Sequence, residues 1–186
     1  EAATHLGRSA LDACKLMNVG VNYMREHMPD SARIHYAYLD VGGAAPNVVQ
    51  ANATVRQLIR ASDNATLRDM VARVQDIAKG AALMTGTTME AKVYSGVSNL
   101  VGNAPLEQAM QNEFDKLGPV PFDAEDATFA NEIRKTLTAD DIAASFQRAG
   151  CDTPPDLPLC DFVAPLERPS IAGAGPTDVG EATWVM

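Results

Sequence analysis

The chain has 186 residues, enough for one large domain or two small ones, and 46% of them are hydrophobic, a globular balance. Its 24 acidic side chains outnumber 15 basic ones, for a formal charge of −9 and a pI near 4.7. That balance argues against nucleic acid as a partner, because phosphates are bound by clustered Lys and Arg; a small acidic substrate would need a local positive site.

No run of about 18 apolar residues occurs, so no membrane span is expected, and nothing at the N-terminus reads as a signal peptide. Cys14, Cys151 and Cys160 form neither a Cys-x-x-Cys pair nor a Cys/His ligand spacing. An odd count without a framework suits a reducing, cytoplasmic compartment and inert thiols.

The first predicted helix is capped by Ser9 and runs to about His27. Ala10, Ala13, Cys14, Met17, Val21, Met24 and Met28 recur three and four apart on its apolar side, with Asn18, Asn22, Arg25 and Glu26 largely on the other. Gly20 costs about 1 kcal/mol relative to Ala inside a helix, which points to close approach of a neighbour. Pro29-Asp30 ends the helix.

Residues 33–60 organise the rest of the chain. Ile34, Tyr36 and Tyr38 alternate with Arg33, His35 and Ala37, the period of a half-buried strand, and Val55, Gln57 and Ile59 alternate with Thr54, Arg56, Leu58 and Arg60. Between the strands Gly42-Gly43 frees the backbone, and Pro46 holds Asn47 at a loop end. Ser62-Asp63-Asn64 caps a second helix, whose stripe is Leu67, Met70, Val71, Val74, Ile77, Ala78 and Ala81 and which Gly86 stops. Alternation over residues 87–95 predicts a third strand. Residues 1–95 therefore read as α-β-β-α-β. This is an α+β layer with two helices on one face of an antiparallel sheet, the ferredoxin-like order lacking a first strand that would precede Glu1.

Residues 96–103 read as a boundary, and residues 96–186 as a mainly helical second part. Pro105 opens one helix that ends before Gly118-Pro119. Asp123 and Asp126, then Thr138 and Asp141, give two further start signals, and Gly150 closes the last helix. Residues 151–180 are rich in Pro and Gly, and residues 182–186 form an apolar, strand-like run. This part is expected to need another body to pack on. Together with the start at Glu1, the final run suggests a chain cut from a longer one.

Chemistry is scarce. His5, His27 and His35 have no partner at ligand spacing, and Glu125-Asp126, Asp140-Asp141, Asp161, Asp178 and Glu181 read as helix caps and solvated faces. No residue is assigned a catalytic role and none a metal-ligand role. On spacing alone Asn47 is a turn residue and Arg60 a strand end that snorkels to water.

The run GRSALDACKLMNVGVNYMREHMPDSARIHYAYLDVGGAAPNVVQANATVRQLIRA, continued by AALMTGTTMEAKVYSGVSNLV and by GPTDVGEATWV, resembles the lid, or dimerisation, domain and part of the catalytic domain of zinc metallopeptidases and amidohydrolases related to carboxypeptidase G and aminoacylase. The resemblance implies an α/β catalytic domain with an inserted ferredoxin-like lid. It also implies amide or peptide hydrolysis by zinc or manganese, a metal-activated water and a Glu base. The expected substrates are N-acyl amino acids such as p-aminobenzoyl-glutamate. The family's lid dimerises by pairing sheet edges, and a second hydrolase subunit is a further possible partner. The lid contributes an Asn and an Arg thirteen positions apart. Asn47 and Arg60 stand at that separation (60 − 47 = 13), which implies substrate-binding roles for both, Arg60 as a fork on a carboxylate.

Thr177 and Asp178 would line the cleft, although Pro176 replaces the usual Ser there. The family's lid histidine falls before Glu1 and its metal ligands outside the chain, so neither activity nor a bound metal is expected of these residues alone. The alternative is a stand-alone dimerisation or ligand-binding module without catalysis. A regulatory domain binding an amino acid is a weaker third reading, against which the TDVG motif argues.

Overall fold

The computed structural model describes residues 3–149, 157–166 and 179–185. They fall into two compact units, one running to Leu100 and taking in residues 179–185, the other starting at Val101.

In the first unit the order is α1 (Ala10–Met24), β1 (Arg33–Asp40), β2 (Thr54–Arg60) and α2 (Asn64–Thr85). Short 3₁₀ turns precede α1 (Thr4–Leu6) and follow it (Arg25–His27). Ser9 caps α1 by accepting from Asp12 N, which satisfies one of the amides a helix start leaves orphaned. Asp63 does the same for α2 through Thr66 N, and α2 ends on Gly86 in the left-handed conformation that favours glycine.

β1 and β2 pair antiparallel, with Arg33 opposite Arg60, Ile34 opposite Ile59, His35 opposite Leu58 and Ala37 opposite Arg56; the ladder slips between Tyr38 and Asp40. The connecting turn needs glycine at Gly42 (φ +79°), where an added Cβ would lie 2.6 Å from the carbonyl oxygen of Asn52. Both helices lie on the sheet face that carries Ile34. Val21, Met24, Ala32, Ile34, Met70 and Val74 form the core, with Met17, Met28, Ile59 and Ile77 against it. Gly20 faces Ile77 so closely that an added Cβ would sit 2.6 Å from its Cγ2, the close helix approach its position implies.

Three expectations change. Residues 87–95 form no strand: the sheet has two strands among the described residues. Alternation describes which faces a strand would show, but a strand exists only as a ladder, and no backbone of this segment finds one to pair with. Residues 182–185 are no strand either. Gly180–Thr183 is a single helical turn, held by Glu181 Oε1 accepting from Ser98 N at 2.7 Å and by Trp184 Nε1 donating to Asn99 O at 2.8 Å. Lastly, Asn18, placed on the polar side of α1, is only 4% exposed.

The second unit contains α3 (Ala104–Leu117), α4 (Ala124–Arg134) and α5 (Ala139–Ala149). Their starts are the predicted ones. Asn103 caps α3 and Pro falls in its first turn; Asp123 and Asp126 make a capping box for α4; Thr138 and Asp141 exchange the same pair of bonds ahead of α5. None of its described residues is buried.

Candidate functional site

The hairpin turns one face to the helices and the other outward. On the inner face Asn18, Tyr38 and Gln57 form a chain. Asn18 donates through Nδ2 to the Tyr38 hydroxyl at 3.0 Å, and Gln57 donates through Nε2 to Asn18 Oδ1 at 2.9 Å. These bonds are why a buried Asn is tolerated inside an apolar helix face. Gln57 Oε1 is buried without a partner. Periodicity alone could not reveal this cluster, because its members come from three elements and Asn18 by itself matches a solvated position.

The outer face carries Arg33, His35, Arg56 and Arg60, all exposed. Of the five ion pairs among the described residues, none includes an arginine of this face. Arg56 instead lies 5.6 Å from the ring centre of Tyr94, and Lys92 5.3 Å from it, a pair of cation–π contacts. Arg33 Nη1 donates to the backbone carbonyls of Ala32, at 2.6 Å, and Asp30.

Arg60 is the last residue of β2, opposite Arg33. Asn47 sits exposed in the turn between the strands, next to the bond from Val48 N to Ala45 O. That loop is tied to the start of α1: Gln50 O accepts from Ala10 N at 2.9 Å, and Ser9 Oγ donates to Gln50 Oε1 at 2.9 Å. The loop enters β2 at Thr54 and Arg60 leaves it six residues later, a span of about 20 Å at ~3.3 Å per residue. Asn47 thus lies in the loop that precedes β2, and Arg60 is the last residue of that strand. Thr177 and Asp178 lie outside the described residues, as do Pro176 and Cys151.

The described carboxylates with displaced titration have structural causes. Bonds from Thr66, backbone then hydroxyl, hold Asp63 below the usual carboxylate range; Thr138 does so for Asp141 and Ser98 for Glu181. Burial pushes the Cys14 thiol up, away from the thiolate that reacts. Among the described residues no three His, Cys, Asp or Glu side chains are placed to hold a metal. The zinc or manganese of the resembling family therefore finds no ligand set among them, and no step through a metal is assigned to these residues. No helix among them is long and apolar enough to cross a membrane.

No family model matches the chain. It is 40% identical over 192 aligned positions, 98% of its own length, to one of the subunits of p-aminobenzoyl-glutamate hydrolase from Escherichia coli. It is 29% identical to the Xaa-Arg dipeptidases of mouse and human, over 65% and 64% of its length. The chain spans 40% of the length of the bacterial relative and 28% and 27% of the two dipeptidases. The likeness to the subunit of p-aminobenzoyl-glutamate hydrolase thus runs across nearly all of this chain's residues.

Proposed function

We propose that the chain is the substrate-gripping lid of a metal-dependent amidohydrolase that cleaves N-acyl amino acids, p-aminobenzoyl-glutamate among them. In this reading the metal ligands and the general base come from residues this chain does not contain. The observation that carries it is the likeness to the bacterial hydrolase, which runs through the entire hairpin. What supports a carboxylate-binding role for Arg60 is its exposure at a strand end without an ion-pair partner among the described residues. A guanidinium offers a fork that matches a carboxylate.

Asn47 takes the second role in a specific way. A substrate the size of an acyl amino acid does not reach along a strand of about 20 Å, so one molecule held by Arg60 does not touch Asn47 of the same chain. Two copies joined edge to edge would bring the Asn47 loop of one to the Arg60 end of the other. Each site then has an arginine from one protomer and an asparagine from its partner, and dimerisation becomes a condition for complete substrate binding.

The test is a titration of the chain with N-benzoyl-glutamate, alongside sedimentation. The expected outcome is a dimer whose affinity falls at least about tenfold in Arg60→Gln, since a charge-assisted bond contributes roughly 1.5–3 kcal/mol. Hydrolysis of that compound by this chain alone, with zinc or manganese added, would overturn the reading.

A further inference from the structure

The outer face of the hairpin holds more positive charge than one carboxylate requires. Arg33 and Arg60 are cross-strand partners, and like charges directly opposed destabilise a sheet pair. Nothing nearby relieves them: no carboxylate among the described residues lies within ion-pair distance of either, in a chain with 24 acidic side chains. The other cations of the face are accounted for by Tyr94, which takes both Arg56 and Lys92. Arg33 is also held in place. Its Nη1 is bound to the carbonyls of Asp30 and Ala32, which fixes the guanidinium and leaves Nη2 and Nε for another acceptor. A group fixed before binding loses little freedom when it binds.

We propose that Arg33 is a specificity residue that holds the second carboxylate of a dicarboxylic acyl amino acid while Arg60 holds the first. The proposal rests on the carboxylate-binding role of Arg60. Geometry suits a glutamyl group: opposed Cα atoms in an antiparallel pair are about 4.5–5.5 Å apart, and the two carboxylate carbons of glutamate, four bonds apart, are separated by up to about 5 Å. Two arginines rooted that close on neighbouring strands can reach the two ends of one such dicarboxylate. An acyl glutamine is nearly isosteric and offers only one carboxylate, so Arg33 would stay unpaired beside its neutral amide. Because Arg33 is exposed and water satisfies it when no second carboxylate is present, discrimination comes from the charge-assisted bond gained with the glutamate compound.

The experiment uses the full chain and two probes, N-acetyl-glutamate and N-acetyl-glutamine, followed through the arginine side-chain and hairpin backbone signals in nuclear magnetic resonance. Wild type is expected to bind the glutamate compound about tenfold more tightly. Arg33→Gln brings its affinity down to that of the glutamine compound and leaves the latter unchanged, and Arg33→Lys, a point charge without the fork, falls between. Arg60→Gln weakens both. If Arg33→Gln keeps the preference, or wild type shows none while Arg60→Gln still weakens both probes, the Arg33 role is overturned and the lid reading stands. If Arg60→Gln changes neither probe, the carboxylate role of Arg60 fails and this inference with it. Both arginines are exposed, so unchanged spectra outside the hairpin report that each variant is folded.

Discussion

Residues up to Leu100 and residues from Val101 onward start their helices with the same chemistry: a polar cap whose side chain accepts from the amide three residues on. They differ in what the helices do next. α1 and α2 place Val21, Met24, Met70 and Val74 around Ile34, which is fully buried. α3 presents Leu106, Met110, Phe114 and Leu117 at helical spacing, and all four are exposed. Caps and propensity are thus enough to define where a helix runs, whereas a core requires a second element at the right distance.

The sharpest way to break this contrast is to remove one large side chain from each region. Ile34→Ala deletes a fully buried side chain, and Leu/Ile→Ala changes in cores cost about 2–5 kcal/mol; the expected result is a large drop in the urea midpoint of the unit that contains the hairpin. Phe114→Ala, at an exposed site, is expected to stay within about 0.5 kcal/mol of wild type. Equal losses would mean that α3 is packed as tightly as the hairpin, and the distinction between the two regions would be gone.

How much of the fold is legible from the letters alone divides along the same line. Caps at Ser9, Asp63, Asp123 and Thr138 are local, and each can be read from three or four adjacent residues. The two strands are legible because residues 33–40 and 54–60 supply each other's ladder. Residues 87–95 have equally good alternation, yet their pairing depends on a partner that the letters of the segment do not name. Asn18 shows the converse error: an amide on a helix is read as solvated, and only Tyr38 and Gln57, twenty and thirty-nine positions away, make its burial tolerable. The site behaves similarly. The separation of Asn47 and Arg60 along the chain carries the family likeness, but their placement in the loop before β2 and at the end of that strand depends on the fold, whose register also sets Arg33 against Arg60.

Gly20 sharpens the comparison from within the packed region. Gly→Ala inside a helix normally gains about 1 kcal/mol. Here the new Cβ would meet Ile77 Cγ2 at 2.6 Å, and overpacking costs about 1–3 kcal/mol. The expected outcome is a net loss in Gly20→Ala and recovery in Gly20→Ala combined with Ile77→Val, measured as a double-mutant cycle by urea unfolding. A gain in the single variant would show that α1 and α2 have slack between them. No such reversal of the propensity rule is expected on the exposed faces of α3.

The smallest effect should be the one the two regions share. Asp63 in the first and Asp141 in the second both have carboxyls held below the usual range by bonds from a neighbouring threonine. A carboxyl whose folded pKa is depressed adds stability above its unfolded value, near 4, and loses it as the pH falls through the lower folded value. Helicity followed by circular dichroism should therefore decline on acidification below about pH 4. Asp63→Asn and Asp141→Asn should each flatten part of that decline, because Asn still accepts a bond from a backbone amide but does not titrate in this range. Both carboxyls are exposed, so solvent screening keeps each change small. If both variants flatten the acid limb to a similar degree, cap chemistry acts alike with and without a core beneath the helix. If only Asp63→Asn does, the α5 cap depends on packing, and the division between local and tertiary contributions needs redrawing.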